Sequence, residues 1–391
     1  MVDVAHPATT GVNFQLTEDQ QMLVKMARDF ARDEIIPKAE EYDHHATFPQ
    51  EIFEKAFDLG IVNMNIPEAY GGVGASVFEE CLVAEELGYG CTGISTSIST
   101  NNLGALPIIL AGNEKQKEHW LGDRLMDKRQ FVSYGVTEAA AGSNVVGIQT
   151  RAEKKGSSYI INGSKTFITN ATHANFFTVF AKTDPDAGHR GMSCFIIDRD
   201  MPGVSVGKKF DKIGQRASDT AEIVFENVEV PEENLVGGPG KGFYLAMSVF
   251  DHSRPGVAAA AVGLQRRALE ESVKYARERE AFGVPIYQHQ AIGHKIADMA
   301  INYEASRLLV WQAAWQVDAG IANPKVPAYA KAFAADMATR AAVEAVQVFG
   351  GYGYMKEYPV EKLLRDVKIF QIYEGTSEIQ RNIIVRELFR D

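Results

Sequence analysis

Residues 159–182 read YIINGSKTFITNATHANFFTVFAK, and this stretch divides the chain into unlike parts. Tyr159–Ile161 and Phe176–Lys182 are short runs rich in β-branched and aromatic residues, which is a strand signal. Asn162-Gly163 lies between Ile161 and Ser164. Both residues tolerate positive φ, so the pair predicts a hairpin turn. Outward from here, Phe131–Val136, Met192–Asp198 and Ala221–Phe225 are runs of the same kind. Residues 129–238 are therefore expected to form a small antiparallel barrel or sandwich.

The flanks carry the helical period. In residues 1–128, Thr17 and Gln20 have capping-box spacing, and Met22, Leu23, Met26, Ala27 and Phe30 recur along one helical face. Pro37 should end or kink that helix. Further helices are expected over Gln50–Gly60, from the loop PEAYGGVGAS (67–76) to Gly88, and from Glu114 to Leu125. Residues 239–391 are helical again, over 255–280, Gln290–Gln316 and Pro327–Phe349, with a last helix from near Thr376. Their many alanines allow the close packing of a bundle. The expected fold class is α+β: an N-terminal helical domain (1–128), a middle antiparallel β domain (129–238) and a C-terminal helical bundle (239–391).

A chain of 391 residues is too long for one ordinary core. With 46% hydrophobic and 23% charged residues, its composition is that of a globular protein. Cys81, Cys91 and Cys194 are odd in number and far apart, which argues against a disulfide framework and fits a reducing compartment. The nine histidines show no HExxH spacing, so no metal site is expected. A net charge of −11 leaves no electrostatic footprint for nucleic acid or an anionic membrane. No apolar run approaches the roughly 20 residues that span a bilayer. Met1–Gly11 has neither a basic nor an apolar signal region. The expected location is the cytoplasm, or the mitochondrial matrix if a transit peptide has been removed.

Two segments could carry chemistry. In QIYEGTSEIQ (371–380), Glu374 follows a β-like run and precedes a helix start that Thr376 can cap. It is either a solvated loop carboxylate or a general base held at a helix entrance. In YGVTEAAAGSNV (134–145), small residues offer backbone N–H groups to a phosphate or a flavin ring, or simply form a loop. GGPGKG (237–242) lacks the Ser or Thr of a phosphate loop and reads as a linker. QVFGGYG (347–353) is a helix C-cap, and Arg254 in DHSRP (251–255) can pair with a carboxylate or support an anionic ligand.

Eight separated segments in one order resemble the acyl-CoA dehydrogenase family, nearest its medium- and short-chain members: PEAYGGVG (67–74), VTEAAAGSNV (136–145), NGSKTFITNA (162–171), GQRASDT (214–220), FDHSRPGVAAAAVG (250–263), REREAFG (277–283), QVFGGYGY (347–354) and QIYEGTSEIQR (371–381). The resemblance runs from Thr17 to Leu388. It implies a C-terminal four-helix bundle and FAD as cofactor. It also implies that Glu374 removes the α-proton of an acyl-CoA while the β-hydrogen leaves as hydride to the flavin. The backbone N–H of Glu374 and a flavin ribityl hydroxyl would stabilise the enolate oxygen. Tyr134, Val136, Thr137, Gly142, Ser143, Phe167 and Thr169 would line the flavin, with Thr376 beside the base. Arg279, Phe282 and Gln290 would reach the FAD of a neighbouring subunit, with Gln347 and Gly351 nearby, so a homotetramer is implied. Thr96, Ser143, Asp251 and Arg254 match positions around CoA, while Ser99, Tyr373 and Gly375 fall at the acyl group. An electron-transfer flavoprotein would take the electrons. An acyl-CoA oxidase and a non-catalytic flavin- or CoA-binding relative are the alternatives.

Departures from the family pattern bear on the site. Ala139-Ala140 stands where Pro-Gly is usual, and Asn144 where Asp is usual. Should position 140 need φ > 0, alanine there would cost about 1 kcal/mol. Ser99 stands where medium-chain members often carry Glu at the pocket floor; it either changes the pocket's depth or is simply a small helix residue. Ser253 occupies the place from which branched- and long-chain members supply their base, and it cannot serve as one. No Arg around Gly88–Thr92 matches the one that binds a distal carboxylate in glutaryl-type members.

Overall fold

A computed structural model describes residues 14–390; the Met1–Gly11 stretch lies outside them. Helix α1 (Glu18–Phe30) starts at Thr17, whose side chain accepts from the Gln20 N–H while the Gln20 side chain accepts from the N–H of Thr17. Pro37 does not stop the chain's helical course. A π-helical turn, Ala31–Ile35, passes directly into α2 (Ile36–His45), and Pro37 falls in its first turn, where a missing N–H costs little. After α3 (Gln50–Asp58), α4 (Val77–Gly90) begins at a Ser76–Glu79 capping box. Helix α5 (Thr92–Ala111) follows after Cys91 alone and is missing from the sequence reading. It is buried nearly all round, so its run of small polar and apolar residues has no one-sided period to detect. Short α6 (Glu114–Gln116) continues as a π-helix, Lys117–Asp127.

The sheet contains β1 (Val132–Gly135), β2 (Arg151–Lys155), β3 (Ser158–Thr169), β4 (Phe176–Lys182), β5 (Met192–Asp198), β6 (Val204–Lys209), β7 (Thr220–Pro231) and β8 (Leu235–Val236). Their order is β6-β7-β3-β2-β4-β5-β8, with β1 also on β4. Two expectations are corrected. Asn162-Gly163 is not a turn: β3 runs through it with a bulge against β7, and Gly156-Ser157 makes the hairpin from β2. Gly163 is required by close approach, since a Cβ there would lie 2.7 Å from the Thr150 Cα. The sheet is also mixed rather than antiparallel, because β1 pairs with β4 in parallel. β2 (RAEKK) and β6 (VSVGKK) were not foreseen, being mostly exposed and poor in strand-forming residues.

The 237–241 segment joins β8 to α7 (Gly242–Glu278), which runs through Pro255 and begins well before the expected residue 255. A two-strand hairpin, β9 (Glu280–Ala281) and β10 (Val284–Pro285), leads to α8 (Gln290–Asp318) and α9 (Lys325–Phe349). Then come α10 (Pro359–Val367) and α11 (Ser377–Leu388). α7, α8 and α9 share an alanine-rich core, and α11 lies on α9. α4 packs on α7 with almost nothing between: a Cβ at Gly88 would lie 2.4 Å from the Ala260 carbonyl oxygen, and one at Gly263 would lie 2.1 Å from that of Glu85. A second core, including Ala105, Trp120, Val132, Tyr134, Phe176 and Val249, ties helices before the sheet to the sheet and to the start of α7.

Candidate active site

Glu374 sits between a 3-10 turn (Lys368–Gln371) and α11, not at the end of a strand. The Tyr373 N–H donates to the Ile369 carbonyl at 3.0 Å, so the run QIY continues a helical turn rather than a strand. Glu374 (φ 55°) and Gly375 (φ 87°) are then consecutive left-handed residues. Glutamate rarely adopts this conformation, and neighbouring contacts hold it there. Gln380 donates to the carbonyls of Glu374 (3.1 Å) and Gly375 (2.9 Å). Lys331 of α9, wholly buried, donates to the Gly375 carbonyl at 2.5 Å. Thr376 caps α11 through the Ile379 N–H, as foreseen.

The Glu374 side chain meets α7. The Ser253 hydroxyl donates to its Oε2 at 2.8 Å. Burial pushes the carboxyl above the usual range, while Ser253, Arg254 and Lys331 oppose the shift. Arg254 is buried and bonds Asp251 at 2.6 Å; its Nε has no protein partner. Burial pushes Asp251 up against the pull of Arg254. Gln215 joins the wall residues: it donates to the Tyr373 hydroxyl at 3.4 Å and accepts from the Thr96 hydroxyl at 3.0 Å. Ser99 is half-buried about one turn further along α5, and beyond it Asn102 donates to Glu80 at 2.9 Å. Burial raises the Glu80 carboxyl to about 7.

A shelf from the sheet adjoins this cage. Tyr134 is buried between Phe180 and Phe250, and its hydroxyl lacks a hydrogen-bond partner. The following loop carries Val136, Thr137, Gly142 and Ser143. It is fastened by a buried pair, Lys165 to Glu138 at 2.7 Å; Lys165 also donates to the Val136 carbonyl, and Glu138 accepts from the N–H groups of Gln149 and Thr150. Ala140 is not left-handed, so Ala139-Ala140 fits without the anticipated strain. Phe167, left-handed and 63% exposed, lies on β3 with Thr169. Arg279, Phe282, Gln290, Gln347 and Gly351 form another group near the ends of α7, α8 and α9. There Phe282 is 97% exposed, and Arg279 lies over the Tyr352 ring. Sequence reasoning did not single out Ser253 as a partner of Glu374, nor Lys331, Gln380, Gln215 or the Glu138–Lys165 pair. Glu138, Lys165, Gln215, Ser253 and Gln380 all fall inside quoted motifs, which marked their segments but not these contacts; Lys331 lies outside every motif and left no signal.

Three family models match the chain: acyl-CoA dehydrogenase N-terminal domain over residues 17–126, middle domain over 133–228 and C-terminal domain over 240–389. The chain belongs to the acyl-CoA dehydrogenase family. It is similar to a Caenorhabditis briggsae protein described as probable medium-chain specific acyl-CoA dehydrogenase 2, mitochondrial, with 46% identity over 97% of this chain and 93% of the relative. The solved butyryl-CoA dehydrogenase of Megasphaera elsdenii has TM-score 0.94 and 41% identity over 97% of this chain and 100% of that one. A chain in a structure reported for the electron transferring flavoprotein of Acidaminococcus fermentans has TM-score 0.94 and 43% identity, covering 97% and 100%. This acyl-CoA dehydrogenase is an oxidoreductase whose family cofactor is FAD. The shelf suits an aromatic, hydrogen-bonding ligand: the Tyr134 hydroxyl needs a partner, Phe167 offers an open ring, and Gly142 has open space beside it.

Proposed function

We propose that the protein dehydrogenates the α,β bond of an acyl-CoA, with Glu374 as the base. The observation that carries this reading is the Glu374 carboxyl itself: pushed up by burial, fixed on a left-handed turn, and held by Ser253 at 2.8 Å. A base works best when its pKa approaches the operating pH and its geometry is set before substrate arrives. The Glu374 N–H and the polar environment around it favour the enolate oxygen over the ground-state carbonyl. Tyr373 and Ser99 flank the acyl chain, while Thr96, Asp251, Arg254 and Ser143 contact the CoA portion. Bound FAD supplies the hydride acceptor. Tyr134, Val136, Thr137, Gly142, Phe167, Thr169 and Thr376 orient the ring. Exposure of Phe282, Gln290, Gln347 and Gly351 supports a site completed by a second copy within a homotetramer. An electron-transfer flavoprotein is the proposed acceptor, in line with the Acidaminococcus likeness.

The test uses Glu374→Gln. The variant should retain bound flavin and acyl-CoA affinity but lose anaerobic bleaching by straight-chain acyl-CoAs that bleach the wild type. Bleaching at a near-normal rate would refute the assignment of the base.

A further inference from the structure

Lys331 has no exposed surface, yet among the described residues it donates its hydrogen bond to a neutral carbonyl, that of Gly375. Lysines are rarely enclosed so fully without a carboxylate in contact. The charged groups facing it come from three elements. Glu374 and Glu378 lie on the C-terminal segment, Arg254 on α7 and Asp336 on α9 itself. Asp336 is occupied by Gln371, Ser377 and Arg381. Burial pushes the Lys331 ammonium down to about 8, and Glu374 is the strongest influence in the other direction. Ser253 and Arg254 are the other groups that bear on the Glu374 carboxylate.

We propose that Lys331 is a positioning residue for the base: its ammonium fastens the Glu374–Gly375 turn through the Gly375 carbonyl and, with Arg254, sets the cationic field around the Glu374 carboxylate. The proposal rests on reading Glu374 as the base. An unfastened left-handed glutamate relaxes towards commoner backbone conformations and takes its carboxylate with it. A cation facing Glu374 favours the ionised form. When Glu374 accepts the α-proton, the ammonium loses its counter-charge, so Lys331 limits how strong a base Glu374 can be. Gln380 shares the hold on the turn but adds no charge.

Lys331→Met removes both donor and charge at similar length; Lys331→Gln removes the charge and keeps a donor. In the FAD-loaded protein, the Glu374 carboxyl is titrated by difference infrared spectroscopy, with Glu374→Gln as the blank. Anaerobic flavin reduction by acyl-CoA is followed in parallel. Both variants should titrate Glu374 about one pH unit higher than wild type. Lys331→Met should reduce flavin at least about tenfold more slowly at saturating substrate, with acyl-CoA affinity little changed, and Lys331→Gln should recover part of that rate. An unmoved midpoint in both variants, or a wild-type rate in Lys331→Met, overturns the proposal. If Lys331→Met does not fold, the midpoint of Lys331→Gln decides alone. The infrared titration needs no turnover. Failure of every acyl-CoA to bleach the wild type would therefore sink the base assignment separately.

Discussion

Lys165→Met should destabilise the protein by about 3 kcal/mol. The ammonium is 0% exposed and its partner Glu138 only 7%, with 2.7 Å between the charged atoms. Burial pushes Lys165 down to about 8; burial pushes Glu138 up, but Lys165 and the N–H groups of Gln149 and Thr150 outweigh it and hold the carboxyl low. Breaking a buried pair costs about 3–5 kcal/mol. Here the two backbone donors still solvate the carboxylate, which places the cost at the lower end. Glu138→Gln should cost less, about 1–2 kcal/mol, because an amine already near neutrality can release its proton. The double variant should be less damaged than the two single losses added together, by about 2 kcal/mol of coupling. Thermal unfolding, followed by flavin release and by circular dichroism, checks this. For a chain of 391 residues the Lys165→Met midpoint should fall by roughly 4 °C. Strict additivity, or a wild-type midpoint for Lys165→Met, would refute the view that this pair fastens the 136–150 loop.

Ser253→Ala removes a hydrogen bond to a carboxylate, worth about 1.5–3 kcal/mol. That bond favours the ionised form, so its loss raises the Glu374 pKa and should move the acid limb of the flavin-reduction profile to higher pH by roughly 1–2 pH units; stopped-flow rates across pH read this directly. The Glu80 carboxyl is raised to about 7 in the folded protein, so its stabilising contribution is present at low pH and lost as pH rises through that value. Glu80→Gln should therefore raise the melting temperature relative to wild type at pH above about 7 and not at acid pH. Gly263→Ala places a Cβ 2.1 Å from the Glu85 carbonyl oxygen, forces α4 from α7, and should cost about 3 kcal/mol, seen as a lowered midpoint or loss of soluble protein.

Helices with caps or long alanine runs were legible in the sequence: Thr17 opens α1, Thr376 opens α11, and α9 ends at Phe349 before consecutive glycines. Helix α5 was not, because burial on all sides removes the contrast on which periodicity depends. Asn162-Gly163 misled for a related reason. Local turn chemistry was right for the dipeptide, but Gly163 serves a close approach to Thr150 within a continuing strand. Glu374 was singled out with two readings open. Ser253, which bonds its carboxylate, Lys331, which bonds the next residue Gly375, and Gln215, which bonds the preceding Tyr373, lie 121, 43 and 159 positions from Glu374 along the chain, and only tertiary folding brings them to the same segment. The 139–140 departure had no strain to explain once Ala140 proved not to be left-handed.

The contact of α4 with α7 at Gly88 and Gly263 bears on how this protein can be diversified. Two helices with backbone against backbone have no intervening side chains that could shrink or grow to tune their spacing. α4 continues into α5, which carries Thr96 and Ser99, and α7 carries Ser253 and Arg254. The interval between those two sets of residues is thus inherited as a fixed dimension. A breeder of new substrate preferences would find it productive to vary side chains such as Ser99, Asn102 and Glu80 singly. Libraries that alter the helix contact would yield mostly unfolded chains rather than wider pockets.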